Sequence, residues 1–98
     1  MPLFETGQVV TTCGIAQAMR DDYSFLLSVR ECLDRHCRGD WGDVGDESRR
    51  MNDEALEAER KGEFSDSLFS LYNIGGREIY VITECDRSVT TILFPDEY

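Results

Sequence analysis

No stretch of this chain comes near the roughly 20 consecutive apolar residues that a membrane-spanning helix needs. The opening Met1-Pro2-Leu3-Phe4-Glu5 lacks the basic start and long apolar run of a secretory leader. The expected location is therefore the cytoplasm, and no membrane partner is expected. There is one histidine, His36, so no histidine-based triad with spare parts can be drawn. A phosphate-binding glycine loop, a nucleophile elbow and the paired-cysteine spacing of a zinc site are all missing. The chain reads as a binding protein and not an enzyme, with no cofactor and no metal.

Cations are scarce as well. Ten Lys and Arg residues face twenty Asp and Glu, a formal net charge of −10. Direct binding to DNA, RNA or an anionic membrane is disfavoured, because each phosphate contact needs a cation. Two uses of the charge survive. It keeps a small domain in solution, or it docks an acidic face onto a basic protein groove, such as one built for nucleic acid.

Four cysteines, Cys13, Cys32, Cys37 and Cys85, are present. Without a leader, free thiols in a reducing compartment are the default. Cys32 and Cys37 fall five apart on one predicted helix, a spacing that suits a disulfide poorly. All four are expected to act as small apolar fillers or surface thiols.

The length of 98 residues allows one domain, 1–98, with 41% apolar residues to build a core. Such a core is marginal, since short chains bury a smaller share of their surface. The β-branched run Thr6 to Thr12 predicts a first strand. Thr12 then caps a short helix through Ile15, Ala16 and Met19. Asp21-Asp22 caps a second helix whose apolar face is Phe25, Leu26, Val29, Leu33 and Cys37, ended by Gly39. The glycine- and aspartate-rich segment from Gly39 to Asp46 breaks regular structure, with Trp41 and Val44 as apolar anchors. Asp46 or Ser48 starts a third helix to about Lys61, stopped by Gly62. Its apolar content is thin (Met51, Ala55, Leu56 and Ala58). Two β-rich runs joined by Gly75-Gly76 predict a tight hairpin, and a turn at Glu84 to Ser88 leads to a last strand closed by Pro95. The expected fold is α+β, in the order β-α-α-α-β-β-β, with a three-stranded antiparallel meander covered on one face.

Three local patterns invite a chemical reading. Cys32 and His36 share a helix face, and Cys13 or Cys85 would complete a tetrahedral site. The isolated cysteines argue against it and favour a surface histidine at a helix C-terminus, where its cationic form is stabilised. Asp40, Asp43, Asp46 and Glu47 repeat at the wrong interval for a calcium loop. Asp86-Arg87-Ser88 reads as an Asx-type turn with a local ion pair.

Charge concentration rises above this background. From Asp40 to Glu63 there are nine acids against four bases, a net −5, half the total from a quarter of the chain. On the third helix Asp46, Asp53, Glu54 and Glu57 fall close to one side. Carboxylates so placed either form an ordinary solvated face or imitate a row of phosphates. Together with Asp40, Trp41 and Asp43 they are the expected partner-binding residues.

The segments Gly39-Asp40-Trp41-Gly42-Asp43, Asn52-Asp53-Glu54-Ala55-Leu56, Tyr80 through Thr91 and Phe94-Pro95-Asp96-Glu97-Tyr98 resemble a family of small bacterial proteins. Its members occur on plasmids, integrated elements and phages, and are often labelled type I restriction modification subunits. That label cannot be literal, since about 100 residues hold no methyltransferase domain. The chain departs from the family pattern at Cys13, where proline is common, and at Cys85, where alanine is common. The resemblance implies a mobile-element context. The expected function is then an anti-defence inhibitor, anti-CRISPR or anti-restriction, that occludes the basic surface of a CRISPR effector or restriction enzyme. The competing expectation is a regulatory or structural interaction protein, with a homo-dimer allowed, using the Trp41 loop or the exposed face of the meander.

Overall fold

The computed structural model describes residues 2–98. Strand β1 (Gln8–Thr11) runs into α1 (Cys13–Asp21) and α2 (Tyr23–Cys37). After a loop come α3 (Asp46–Arg60), β2 (Leu68–Ile74), β3 (Arg77–Thr83), β4 (Val89–Leu93) and a 3₁₀ turn at Pro95–Glu97. The start of α2 is set by Asp22, whose Oδ1 accepts from the amides of Ser24 at 3.0 Å and Phe25 at 3.4 Å. Asp46 and Glu47 lie in the first turn of α3, where their charge suits the helix dipole. Gly75 and Gly76 both have positive φ, 58° and 91°, as a type I′ hairpin turn requires.

Thr12 sits at the N-cap of α1 but does not cap it. Its hydroxyl donates to Glu97 Oε1 at 2.5 Å, and Glu97 Oε2 accepts the Gly14 amide at 2.9 Å. The cap therefore comes from the far end of the chain. For α3 the N-cap is Gly45, with no side-chain cap; Asp46 is the first helical residue and Ser48 lies inside the helix.

The sheet is four-stranded and mixed, in the order β1-β4-β3-β2. This corrects the expectation of a three-stranded antiparallel meander. The antiparallel pairs β2–β3 and β3–β4 are present, and β1 adds in parallel to β4, from Gln8 beside Val89 to Thr11 beside Ile92. Parallel neighbours need a long crossover, and everything from α1 to β3 supplies one.

Helices α1 and α2 cover one face, burying Ile15, Phe25, Val29 and Cys32 against Tyr72, Ile79, Val81 and Ile92. The buried line of α2 is Phe25, Val29, Cys32 and His36, in place of the predicted face through Leu33 and Cys37. A strict four-residue step drifts about 40° per step round a helix. Alternating steps of four and three hold one direction, so Leu33 and Cys37 rotate to the flank. A second cluster, Phe4, Trp41, Val44, Ala55 and Leu68, joins α3 and the Trp41 loop to β2. On α3 the buried positions are Asn52 and Ala55, while Met51 is exposed. The opposite sheet face, with Phe69, Leu71, Tyr80 and Ile82, stays half-buried. Among the described residues no helix is long and apolar enough to cross a membrane.

Candidate functional site

The predicted partner-binding residues gather at the outer edge of β2. An edge strand presents alternate N–H and C=O groups with no partner, here those of Phe69 and Leu71. The amide of Asn52, on α3, serves Phe69 twice: Asn52 Nδ2 donates to the Phe69 carbonyl at 2.7 Å, and the Phe69 N–H donates to Asn52 Oδ1 at 3.1 Å. Leu71 is served by the loop, donating to the Trp41 carbonyl at 3.1 Å and accepting from the Asp43 N–H at 2.7 Å. Gly42 lies between them at φ +77°, so close to β2 that a Cβ would strike the Leu71 carbonyl. The edge is sealed by a side chain and a loop that stand in for a fifth strand.

Sealing the edge decides what each predicted residue does. Trp41 is 1% exposed, and its indole N–H donates to Asp53 Oδ1 at 3.0 Å. It is a core side chain and offers no apolar surface to a partner. Asp40 is held by the forked Arg35 guanidinium, at 2.8 and 3.2 Å, which pulls its carboxyl below the usual range. The Asp40 carbonyl accepts the Tyr72 hydroxyl at 2.6 Å. On α3, Glu54 is 3.5 Å from Arg50, which also approaches Glu47 at 3.8 Å, and Glu57 pairs with Arg60. The imagined row of phosphate-like carboxylates is thus interleaved with arginines. Asp43, Asp46, Glu47 and Glu54 remain exposed at this end.

The sequence reading missed the polar centre of the molecule. His36, expected at the surface, is fully buried beneath Phe4 and Trp41, whose rings meet it edge-on at 5.3 and 5.6 Å. Its Nδ1 lies 2.5 Å from Ser70 Oγ and its Nε2 2.9 Å from Thr83 Oγ1. Thr83 Oγ1 is 2.7 Å from Thr90 Oγ1, which donates to the Thr6 carbonyl at 2.8 Å. That carbonyl only accepts, so donor counting fixes the line as far as Nε2–H, and a neutral ring then makes Nδ1 the acceptor. Thr90 spends its hydrogen on Thr6, Thr83 donates to Thr90, Nε2–H donates to Thr83, and Nδ1 accepts from Ser70. The imidazole is neutral, and burial lowers its pKa from 6.5 to about 4, with the Arg87 charge adding to the effect. Both ring nitrogens are engaged, which leaves His36 no lone pair for a metal. Among the described residues no group of three or more His, Cys, Asp or Glu could hold one. The four cysteines are free thiols, with Cys32 buried and Cys13 and Cys85 exposed.

Arg87 does not pair with Asp86. Asp86 Oδ1 does close an Asx turn, accepting from the Ser88 N–H at 3.0 Å and hydroxyl at 2.6 Å. The Arg87 side chain, 9% exposed, instead reaches Glu59 on α3 at 2.8 Å. It also donates to the carbonyls of Asp66 and Glu84 and to Ser65 Oγ. Its backbone is left-handed, φ 59°, a conformation rare for a side-chain-bearing residue. Arg87 is a staple between the β3–β4 turn and the end of α3. Nothing local in Asp86-Arg87-Ser88 signals a partner 28 residues away.

Comparison with protein-family models, with curated proteins and with solved structures finds no match to this chain.

Proposed function

We propose that this chain is an acidic protein-binding module of a mobile element that inhibits a host defence complex, anti-CRISPR or anti-restriction, by occluding a basic nucleic-acid-binding surface. The observation that carries the reading is the exposed carboxylate group at the β2 end: Asp43, Asp46, Glu47 and Glu54, on a loop and helix held rigidly by the sealed edge. Arg50 pairs only loosely with Glu47 and Glu54, and exposed ion pairs of this kind are worth about 1 kcal/mol or less. A dense array of partner cations displaces such pairs readily. Beside α3 lies a cleft of about 390 Å³ lined by Leu3, Leu56, Asp53, Glu57, Glu59 and Arg60, which adds apolar contact to the charge. The mobile-element context rests on the family resemblance alone.

The test is phage plating on cells carrying an active restriction or CRISPR system, with and without the expressed chain. Plating that rises only when the chain is present supports inhibition. Unchanged plating across a panel of such systems overturns it. A second reading, a regulatory or structural interaction protein without inhibitory role, draws on the half-buried apolar sheet face of Phe69, Leu71, Tyr80 and Ile82. There Tyr98, 83% exposed, sits edge-on to Tyr80 at 6.2 Å.

A further inference from the structure

The two edges of the sheet are treated differently. At β2 every outward group of Phe69 and Leu71 is occupied, as described above. At β1 the N–H groups of Gln8 and Thr12 donate towards β4, to the carbonyls of Ser88 at 3.0 Å and Ile92 at 3.1 Å. Strand alternation then turns the N–H and C=O of Val9 and Thr11 outward, and among the described residues no hydrogen bond reaches them. The usual guards of an open edge are charge, proline, a bulge or a covering element. Gln8-Val9-Val10-Thr11 supplies none of these; its one guard is a length of four residues, and no charged residue occurs anywhere between Glu5 and Arg20.

The geometry points to β1 as a self-association edge whose occupant is the β1 of a second copy, joined antiparallel about a two-fold axis at Val10. Hydrogen-bonding pairs in an antiparallel ladder exchange both bonds. The outward residues Val9 and Thr11 therefore face Thr11 and Val9 of the other copy. Val10 faces Val10 with side chains in contact, and all outward groups of both strands are paired. Closed two-fold symmetry of this kind is the commonest assembly of like chains.

Electrostatics admits a second copy at this uncharged edge. The loop and first half of α3 that seal β2, Asp40 to Glu54, carry six acids against two bases, while the end of α3 runs back to the β3–β4 turn, where Glu59 is paired with Arg87. Three strand spacings, about 14 Å, separate the β2 edge from β1, which is longer than a Debye length at physiological salt. Two copies of a −10 chain can meet edge to edge at β1 with their acidic ends pointing apart. A pair of four-residue edges buries less than the roughly 800 Å² per partner of a standard interface, so the dimer forms reversibly with concentration. The resulting sheet has eight strands and shows an acidic face at each end. This inference does not depend on the proposed function, because a monomer would still have one acidic face.

The experiment is sedimentation equilibrium over a dilution series, with Val9→Pro and Val9→Lys beside the wild-type chain. Proline removes only the outward N–H of Val9 and spares the bonds to β4, and lysine sets two like charges diagonally across the dyad. The expected result is a reversible monomer–dimer equilibrium for wild type and monomers at every concentration for both variants, each with native circular dichroism. If proline perturbs the fold, the lysine variant decides alone. In wild type, the amides of Val9 and Thr11 should exchange more slowly at high than at low protein concentration. A wild-type chain monomeric throughout, variants that dimerise as well as wild type, or exchange at Val9 and Thr11 independent of concentration would each overturn the assignment.

Discussion

Asn52 completes the sheet for Phe69: one side-chain amide takes both the N–H and the C=O that β2 would otherwise leave open. Asn52 is 3% exposed on a helix of otherwise thin apolar content. Replacing it by alanine leaves two part-buried backbone groups without partners. The expected cost is about 2–4 kcal/mol, read as a lower urea midpoint, together with lost exchange protection at the Phe69 amide. Unchanged protection at Phe69 would mean that the edge is sealed some other way.

His36 sets a pH dependence of known sign. Its folded pKa of about 4 lies below the ordinary 6.5, so the unfolded chain takes up the proton first as pH falls. Its contribution is full above pH 6.5 and is lost progressively down to pH 4. Between pH 7 and 5 the loss amounts to about 2 kcal/mol. Asp22, Asp40, Asp86 and Glu97 also titrate below their ordinary values of 3.8 to 4.5 and act mainly at lower pH. Urea titrations at pH 7 and 5 should show this slope in wild type, and His36→Gln should flatten it whatever its absolute stability. A slope that persists in the variant would place the titration elsewhere.

Trp41 separates shape from polarity. Trp41→Phe keeps most of the buried ring but removes the donor to Asp53, and should cost about 1–2 kcal/mol. Trp41→Ala opens a cavity between Phe4, Val44 and Leu68, and should cost about 3–5 kcal/mol. Thermal melts of the two variants check the order. A Trp41→Ala chain as stable as wild type would show that the ring is not core, and would restore Trp41 as a binding side chain.

Gly14 and Glu97 should behave as one unit. A Cβ at Gly14 would lie 2.5 Å from the Glu97 carboxylate, so Gly14→Ala pushes the cap away from α1. A loss of about 5 °C in Tm is expected. Glu97→Ala removes the same cap, and the double variant should melt close to the worse single one. Additive losses would mean that the two residues act separately.

These residues also show how far the sequence can be read. Some local signals held: Asp22 caps α2, Gly62 stops α3, and Gly75-Gly76 turns the hairpin; others did not, since Thr12 leaves α1 uncapped and Gly45 stands at the N-cap expected of Asp46 or Ser48. What escaped depends on contacts remote in the chain. A β-branched run reveals that Thr6 to Thr12 is extended, but not that it will lie parallel to β4. The burial of His36 depends on three hydroxyls, Ser70, Thr83 and Thr90, that alternate inward on different strands and look like ordinary strand residues. Asp53 and Arg87 read as surface charges until the fold brings Trp41 and Glu59 to them. Of the seven predicted site residues, Trp41 lies in the core and Asp40 and Asp53 are engaged within the fold. Asp43, Asp46, Glu54 and, less exposed, Glu57 are left as surface carboxylates.

Capture of a basic protein surface by the exposed acidic end is read from a tagged pull-down from host lysate with graded salt elution and mass spectrometry. Wild type should run beside a variant carrying Asp43→Asn, Asp46→Asn, Glu47→Gln and Glu54→Gln. None of these four side chains holds the core. Wild type should capture a nucleic-acid-handling defence protein that is released as salt rises and is missing from the variant. Capture by both chains, or capture that withstands high salt, would contradict this role for the acidic end.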